Sequence, residues 1–488
     1  MILTVHAQAC VAGAIQLWVG MFGAQNPPIP QFFIDGVPAT PLTPSAMAPI
    51  RDHHAGADGK PINHRGVFRF SVALAEDIHP IRIVAGTEHC ELIVRTLPKE
   101  LPSSLDGEFN ILLCSCYFQP EDKNGLLGTI ASQIKLKPHL VLMAGDQVYL
   151  DLPLLEDMPE SEPALSQLIG DKYFRNWASA SLNTAGLEPV LSKAAVVSIP
   201  DDHEFWNNYP FPQAQLPNTW NKEVRDRWKA AAQALYEDYQ LAGDPSTAGA
   251  TRIDVAPLRM LFVDMRIDRD DKFRRLMNDA AETAFRLWVD DLIRDRKADR
   301  PAVGVLASGQ ALFIDPPTSD FTKHTADAEM GNYQQFDFAK KELMRLADEG
   351  IPLLYLTGDV HWSRVAGAKD RQHPGQPLFY EVISSPSCLI RTPFVDAAKE
   401  SSNAVKGIFG AKDPWPRHSD PEKVPANFGP GNRFSLERKF ERNGDQIAMV
   451  SFARAGNGVD ARVTYFAISP DKKLSRSETV DTLQLRPV

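Results

Sequence analysis

The chain has 488 residues, of which 43% are hydrophobic and 23% are charged, with a formal net charge of -10 and a pI near 5.7. This length and composition predict a globular protein of two or three domains with a large core. No run of Lys and Arg approaches the basic surface that nucleic acids require, so no nucleic-acid partner is expected. The five cysteines are few and odd in number, which argues against a disulfide framework.

The apolar N-terminal segment is interpreted as part of the mature protein. No basic residue precedes it, and Gln8 and Gln16 lie within it, so it fits neither a signal peptide nor a membrane-spanning helix. With the cysteine content, this favours a cytoplasmic protein. A secreted or periplasmic location would require that a leader had been removed.

Residues 1–105 contain short segments such as GVFRFSVAL and ELIVRTL, in which apolar and polar residues alternate between polar or Pro-rich turns. Alternation with a period of two is typical of antiparallel strands. We therefore predict a small N-terminal antiparallel β-sandwich domain over residues 1–105.

From residue 106 the pattern changes to continuous apolar runs, FNILLC and PHLVLMA, that are separated by an amphipathic segment. Strand, helix, strand is the unit of a parallel sheet whose two faces are both covered. We predict an α/β catalytic domain over residues 106–488, and a lid or insertion at 391–445, where Pro, Gly and charged residues are frequent. In chain order, the remaining principal elements are predicted as helix 171–191, strand 195–199, helix 222–240, strand 257–264, helix 283–296, strand 302–308, helix 335–350 and strand 352–357.

Metal-ligand residue types follow four of the predicted strands. Because the carboxyl ends of parallel strands meet at one edge of a sheet, these side chains are expected to converge. They are Cys116 after the first run, Asp146 and Tyr149 after the second, Asp201, Asp202, His203 and Glu204 after the third, and Asp359 and His361 after the fourth.

The chemistry of a two-metal hydrolase explains this choice of residues. Such a site needs a carboxylate that bridges two cations about 3.5–4 Å apart, with further ligands on each cation and room for water. Asp146, on a Gly turn, suits the bridge. Tyr149 could bind as a phenolate to a strong Lewis acid such as ferric iron, and Cys116 as a thiolate.

The remaining residues would complete the site. His361 offers an imidazole, while Asp359 and Asp202 could bind the second cation. His203 would then be free to hydrogen-bond a substrate oxygen and to protonate a leaving alkoxide.

Each residue also has an ordinary structural interpretation. Gly-Asp is common in turns, Tyr149 could be a core tyrosine, Cys116 a small buried side chain, and Arg266 a salt-bridge partner. The adjacent carboxylates of Asp201 and Asp202 are harder to explain in this way, because they repel each other unless a cation or an arginine is near.

The motifs GDQVY, DDHEFWNN and GDVH, with SC in place of a first aspartate, resemble the PhoD family of alkaline phosphatases within the calcineurin-like metallophosphoesterases. VDMRIDR and SGQ are similar to two further motifs of that family. The resemblance implies a calcineurin-like metallophosphoesterase core, a β-sheet sandwich flanked by helices. The Asp-x-His start of the wider superfamily and its separate histidine near Gln310 are absent here, which favours a hard second cation.

The resemblance also implies roles for individual residues. Cys116, Asp146, Tyr149 and His361 would hold Fe³⁺, whereas Asp146, Asp202 and Asp359 would hold one or two divalent ions, with Ca²⁺ favoured over Mg²⁺, Mn²⁺ or Zn²⁺. His203 would face the phosphate as the catalytic residue. Asn207, Asn208 and Arg266 would contact the substrate, although Asn207 or Asn208 could instead add a metal ligand and Arg266 could instead brace the site.

The predicted function is metal-dependent hydrolysis of phosphate monoesters or diesters, by metal-bound hydroxide at a multinuclear site. The expected partner is a small-molecule phosphate ester. Two alternatives stay open: a phospholipid-type phosphodiesterase, and a non-catalytic metal-binding sensor or scaffold.

Overall fold

The computed structural model describes residues 1–43, 46–72, 78–104, 109–152, 158–213, 215–241, 249–313, 329–388, 433–468, 474 and 476–488. Within these residues no helix is long and apolar enough to cross a membrane.

The described residues form 22 strands. They are β1 (Ile2–Gln8), β2 (Ala14–Phe22), β3 (Gln31–Ile34), β4 (Val37–Ala39), β5 (Ala48–Pro49), β6 (His64–Ser71), β7 (Ile78–Ala85), β8 (Glu88–Arg95), β9 (Phe109–Cys114), β10 (Leu140–Ala144), β11 (Ala195–Ile199), β12 (Ala250–Val255), β13 (Leu258–Val263), β14 (Val303–Ala307), β15 (Leu353–Thr357), β16 (Ser363–Asp370), β17 (Phe379–Ile383), β18 (Phe434–Arg442), β19 (Gln446–Ala455), β20 (Gly458–Ala467), β21 (Ser477–Thr479) and β22 (Leu483–Leu485).

Helices connect many of these strands. The α-helices are α1 (Leu126–Gln133), α2 (Glu162–Trp177), α3 (Ser179–Leu182), α4 (Glu188–Leu191), α5 (Lys222–Tyr239), α6 (Asp279–Lys297) and α7 (Phe336–Asp348). Short 3₁₀ helices lie at Gln119–Glu121, Asp202–Glu204, Pro217–Thr219 and Met330–Asn332.

The strands form two large sheets and one small sheet. The first has the order β21-β20-β19-β9-β10-β11-β1-β2-β6-β5, with β22 also paired to β20. The second has the order β12-β13-β14-β15-β17-β16-β18, and the small sheet has the order β4-β3-β7-β8. Strands β9, β10 and β11 are parallel, as are β13, β14, β15 and β17.

The two large sheets pack face to face, with helices on their outer faces. Along β10, Leu142 joins the core that both sheets share, while the next residue, Met143, joins the core under α1, α2 and α5. Helices α6 and α7 cover the second sheet in the same way. Because both faces of each central strand are buried, the strands appear in the sequence as continuous apolar runs.

The predicted fold class is confirmed: the chain has an α/β core of two sheets flanked by helices, with additional β structure from the N-terminal region. The helix predicted at 171–191 is wrong in its extent, because α2 ends at Trp177 and α3 and α4 follow as separate short helices. Within the predicted insertion at 391–445, residues 391–432 lie outside the described residues. Residues 434–442 form strand β18, which pairs with β16.

The N-terminal strands are divided between two sheets. Phe32 of the small sheet packs against Phe68 on β6, with 4.8 Å between the ring centroids. Strand β1, in contrast, belongs to the first large sheet, where it pairs in parallel with β11. The amide of Ala9 extends this pairing by donating to the carbonyl of Val196 at 2.9 Å. A large sheet therefore continues across residue 105. The division into domains of residues 1–105 and 106–488 stays a prediction.

A chain of residues 106–488 tests that division. We expect it to be recovered mainly in the insoluble fraction, because removal of β1 exposes the edge of β11 and uncovers the core that lies beneath β2. Size-exclusion chromatography beside the full chain measures this. A soluble, monodisperse fragment with the activity of the full chain would instead establish residue 105 as a domain boundary.

Candidate metal centre and active site

The four predicted motifs follow β9, β10, β11 and β15, at the place where the ends of the two large sheets meet. The backbones approach closely there: a Cβ atom on Gly358 would lie 2.2 Å from Cβ of Ser115 and 2.5 Å from the carbonyl oxygen of Ala144. Only glycine fits this position without displacing its neighbours. The end of β15 can therefore lie directly against the ends of β9 and β10.

Sharp backbone turns direct the predicted ligands inward. Cys116, Asp146, Asp359 and His361 have φ angles of 50°, 57°, 70° and 58°. Non-glycine residues rarely adopt this left-handed conformation, which costs free energy and is concentrated at functional sites. The strain is consistent with side-chain placement that is maintained for function.

The structure brings the predicted ligands together in overlapping groups, in each of which the ligand atoms lie within 4.8 Å of one another. The groups are Cys116, Asp146 and His361; Asp146, Asp202 and His203; and Asp146, Asp201, Asp202 and Asp359. Asp146 belongs to all three, which is the arrangement that a bridging carboxylate requires.

Tyr149 lies beside the first of these groups. Its hydroxyl oxygen is 3.3 Å from Nε2 of His361, and Sγ of Cys116 is 3.4 Å from Oδ2 of Asp146. Donors that share one ion, with bonds of about 2.0–2.3 Å, must lie within about 4.6 Å of one another. These separations therefore suit a shared ion.

The electrostatics of the cluster also favour a cation. Burial, and then the charges of neighbouring acidic groups, raises the pKa values of Cys116, Asp146 and Tyr149 well above their usual ranges. Oδ2 of Asp201 is buried and has no hydrogen-bond partner among the described residues. Bound cations would offset this repulsion, so the donor set fits the metal ions that the family resemblance implies.

Glu204 connects the ends of β10 and β11. Its two carboxylate oxygens accept hydrogen bonds from the backbone amides of Asp146, Gln147, Val148 and Asp201, at 3.0, 2.6, 3.3 and 2.8 Å. Burial raises the pKa of Glu204 to about 7, and these amides act in the opposite direction. Glu204 thus supports the site without being one of the clustered ligands.

His203 is held by an aspartate that the sequence analysis did not single out. Nδ1 of His203 lies 2.8 Å from Oδ1 of Asp151, a completely buried carboxylate, and the imidazole ring packs 4.1 Å from the ring of Tyr149. The sequence feature that could have identified Asp151 is its position as a lone carboxylate in the apolar stretch just after Tyr149. The contact fixes the ring and leaves Nε2 as the nitrogen that can serve a ligand.

The three predicted substrate contacts lie around the cluster. Arg266 is 1% exposed; its Nε donates to Oδ1 of Asp201 at 2.6 Å, and its Nη2 lies 3.4 Å from Oδ1 of Asp202. The backbone amides of Asn207 and Asn208 donate to Asp151 and Asp202. These contacts match the bracing alternative for Arg266, and substrate contact by the three residues stays a prediction.

Two further polar residues position the ligands. The hydroxyl of Ser385 donates to Sγ of Cys116 at 3.2 Å and accepts the backbone amide of His361 at 3.1 Å. The ammonium of Lys172 on α2 donates to the carbonyls of Leu150 and Leu152, both at 2.6 Å, and so holds the loop after Tyr149. Lys172 lies within a helix, and Ser385 follows β17 but is not a typical metal-ligand residue, which is why the motifs did not reveal them.

Comparisons with known proteins bear on the family and the fold of the chain. The sequence model of the PhoD-like phosphatase family matches residues 109–405. A solved structure described as "Structure of PhoD" is 13% identical, with a TM-score of 0.58, over 98% of this chain and 88% of that one. GAP50, the anchor in the inner membrane complex of Plasmodium, is 9% identical over 76% and 88%, with a TM-score of 0.35. No curated protein matches the sequence.

The family match and the fold together define the chain as a hydrolase. The match over residues 109–405 is more than half of the chain, and the chain belongs to the PhoD-like phosphatase family. It is accordingly a phosphoesterase. The family resemblance and the enzyme class predicted from the sequence are confirmed.

Asp151→Asn tests the contact with His203. We expect kcat to fall by about 10²-fold or more, as for the loss of an oriented general acid, while metal content is unchanged. Burial lowers the pKa of His203, but Asp151 and the neighbouring carboxylates together raise it well above its usual range. Without the Asp151 charge the ring loses its proton at lower pH, so the alkaline limb of the rate profile should move to lower pH.

The matched control is Asp226→Asn on the exposed face of α5, where the carboxylate pairs only with Lys222 among the described residues. Steady-state kinetics across pH and elemental analysis compare the two variants. An Asp151→Asn enzyme with unaltered kcat and pH profile would contradict the positioning role.

Proposed function

We propose that the chain hydrolyses phosphate monoesters, diesters or both at a multinuclear metal site formed by these strand ends. The observation that carries the proposal is the convergence of thiol, imidazole and carboxylate donors on Asp146. Carboxylates buried this close together are costly without a counter-charge. The family supports phosphoester hydrolysis as the use of such a site.

The donors divide by chemistry into two sets around Asp146. Cys116, Tyr149 and His361 combine a thiol, a phenol and an imidazole, and a phenolate at neutral pH needs a strong Lewis acid such as Fe³⁺. Asp202 and Asp359 offer only oxygen, which suits Ca²⁺ and, less closely, Mg²⁺ or Mn²⁺. When bound, such ions would supply positive charge to the phosphate oxygens and lower the pKa of water.

The protein's own groups would handle the proton. Asp151 holds Nδ1 of His203, so Nε2 would donate to a phosphate oxygen or to the leaving alkoxide. Glu204 and Arg266 keep Asp146, Asp201 and Asp202 in position. The cytoplasmic location stays a prediction.

Asp146→Asn and Asp202→Ala test the proposal directly. We expect each variant to lose metal and at least about 10³-fold in kcat/KM, because the charge that stabilises the transition state is lost. Matched monoester and diester substrates with the same chromogenic leaving group also measure which ester is preferred. Asp226→Asn serves as the control. Asp146→Asn and Asp202→Ala variants that are as active as the parent would contradict the proposal. A parent protein that binds metal but hydrolyses no ester would favour the sensor or scaffold alternative.

Tyr149→Phe tests the ferric site. A ferric ion bound by a phenolate absorbs visible light by charge transfer, so the purified protein should be coloured and the variant should lose the band and part of its iron. Tyr173→Phe removes another buried hydroxyl, which donates to Gln240 and not to a predicted ligand, and should keep both. A colourless iron-loaded parent, or a variant with the parental spectrum, would exclude Tyr149 as a ligand.

A further inference from the structure

A cavity lies at one edge of the first large sheet. This edge is opposite the edge that carries the candidate metal centre. Its lining includes Leu136 and Lys137, just before β10, and Lys193, just before β11, whereas the clustered ligands follow these same strands. Each strand has five residues, so Lys137 and Lys193 are separated from the clustered ligands by the length of a whole strand, about 17 Å. The cavity is therefore distinct from the active site.

The interior of the cavity is apolar. It lies between β8 and α1 and reaches the outer face of the sheet, where Leu112 and Met449 form its floor. Ala131 of α1, Ile134 just after α1 and Ile93 of β8 form its walls. With a volume of about 530 Å³, it falls within the range of about 300–1,000 Å³ that is usual for small-molecule sites.

Three cationic side chains line the same cavity: Arg95, Lys137 and Lys193. None of them forms an ion pair with a carboxylate in the part of the chain that the structure describes. Nη1 of Arg95 instead lies 3.2 Å from Nε2 of His139, and burial together with Arg95 lowers the pKa of His139 to about 3, so this imidazole is neutral. Glu91 is the single acidic residue of the lining.

The cations also act on one another. Burial, and then the charge of Lys137, lowers the pKa of Lys193. In a protein with a net charge of -10, positive groups have many available acidic partners, yet these three face an apolar space together. An anionic group at this position would relieve the repulsion between Lys137 and Lys193, and an apolar body attached to it would fill the interior.

We infer that this cavity binds an amphiphilic anion, a molecule with one acidic head group held by Arg95, Lys137 and Lys193 and an apolar chain or ring against Leu112, Ile134 and Met449. Both parts are needed. Lys137 is exposed and Arg95 and Lys193 are half-buried, so these cations alone would bind a small anion only weakly in water. The apolar interior alone would not select charge.

Isothermal titration calorimetry of the full-length protein with decanoate tests the inference. We expect saturable binding of one decanoate. Two controls should bind at least about tenfold more weakly: decyltrimethylammonium, which has the same chain and the opposite charge, and acetate, which has the head group alone. Equal affinity for both decyl compounds would show unselective adsorption to apolar surface and would overturn the inference, as would no binding of decanoate.

Two variants locate the binding. Lys137→Met with Lys193→Met should raise the Kd of decanoate by about tenfold or more, whereas Lys123→Met with Lys135→Met, which removes two lysines outside the lining, should leave it unchanged. Leu136→Trp, at a half-buried loop position, should block the cavity and abolish binding. All variants should hydrolyse phosphate esters at the parental rate, which shows that they are folded. Decanoate affinity that neither cavity variant changes would overturn the assignment.

Discussion

The geometry of the active site depends on one buried carboxylate, that of Glu204. Its oxygens accept four backbone amides from the turns that follow β10 and β11, and each turn carries ligands of the cluster. A carboxylate that accepts several amides is well stabilised even in the interior. Without Glu204 these amides would be buried and unsatisfied at the place where Gly145 and Asp146 adopt φ angles of 90° and 57°. Glu204 therefore stabilises the strained conformation that the site requires.

A second constraint is the balance of charge around that turn. Arg266 lies against Asp201 and Asp202 with almost no exposure, and it is the cation that the structure places directly on this carboxylate pair. Burial opposes ionisation of Asp202, but Arg266 and His203 outweigh it and lower the pKa of that carboxyl. Asp146 has no such arginine, and its pKa is raised. One arginine thus keeps part of the cluster ionised, and the remaining negative charge is what metal ions would neutralise.

The sequence predicted the parts of this arrangement that have a local signal. An apolar run followed by Asp or His identifies a strand and the residues after it, so Asp146 and Asp202 could be placed at one edge. The expectation that all four strands share that sheet was wrong, because β15, which precedes Asp359 and His361, lies in the second large sheet and reaches the site only where the two sheets meet. Contacts between distant segments have no such signal: the pairing of β1 with β11, the hydroxyl of Ser385 on Cys116 and the ammonium of Lys172 on Leu150 follow from packing. Arg266 shows the intermediate case, because its proximity to acidic residues was foreseeable, whereas its complete burial depends on how the two sheets meet.

The two ends of β10 and β11 show how this fold separates charge. Both faces of each strand are covered, one by the second sheet and one by helices, so ionised side chains along the strands would be buried without partners. Charged groups are therefore confined to the loops: Lys137 and Lys193 precede the strands, and Asp146 and Asp202 follow them. The five-residue strands keep the positive and negative groups too far apart to pair with one another. Each edge consequently retains unneutralised charge of one sign, which suits cations at the carboxyl edge and anions at the amino edge.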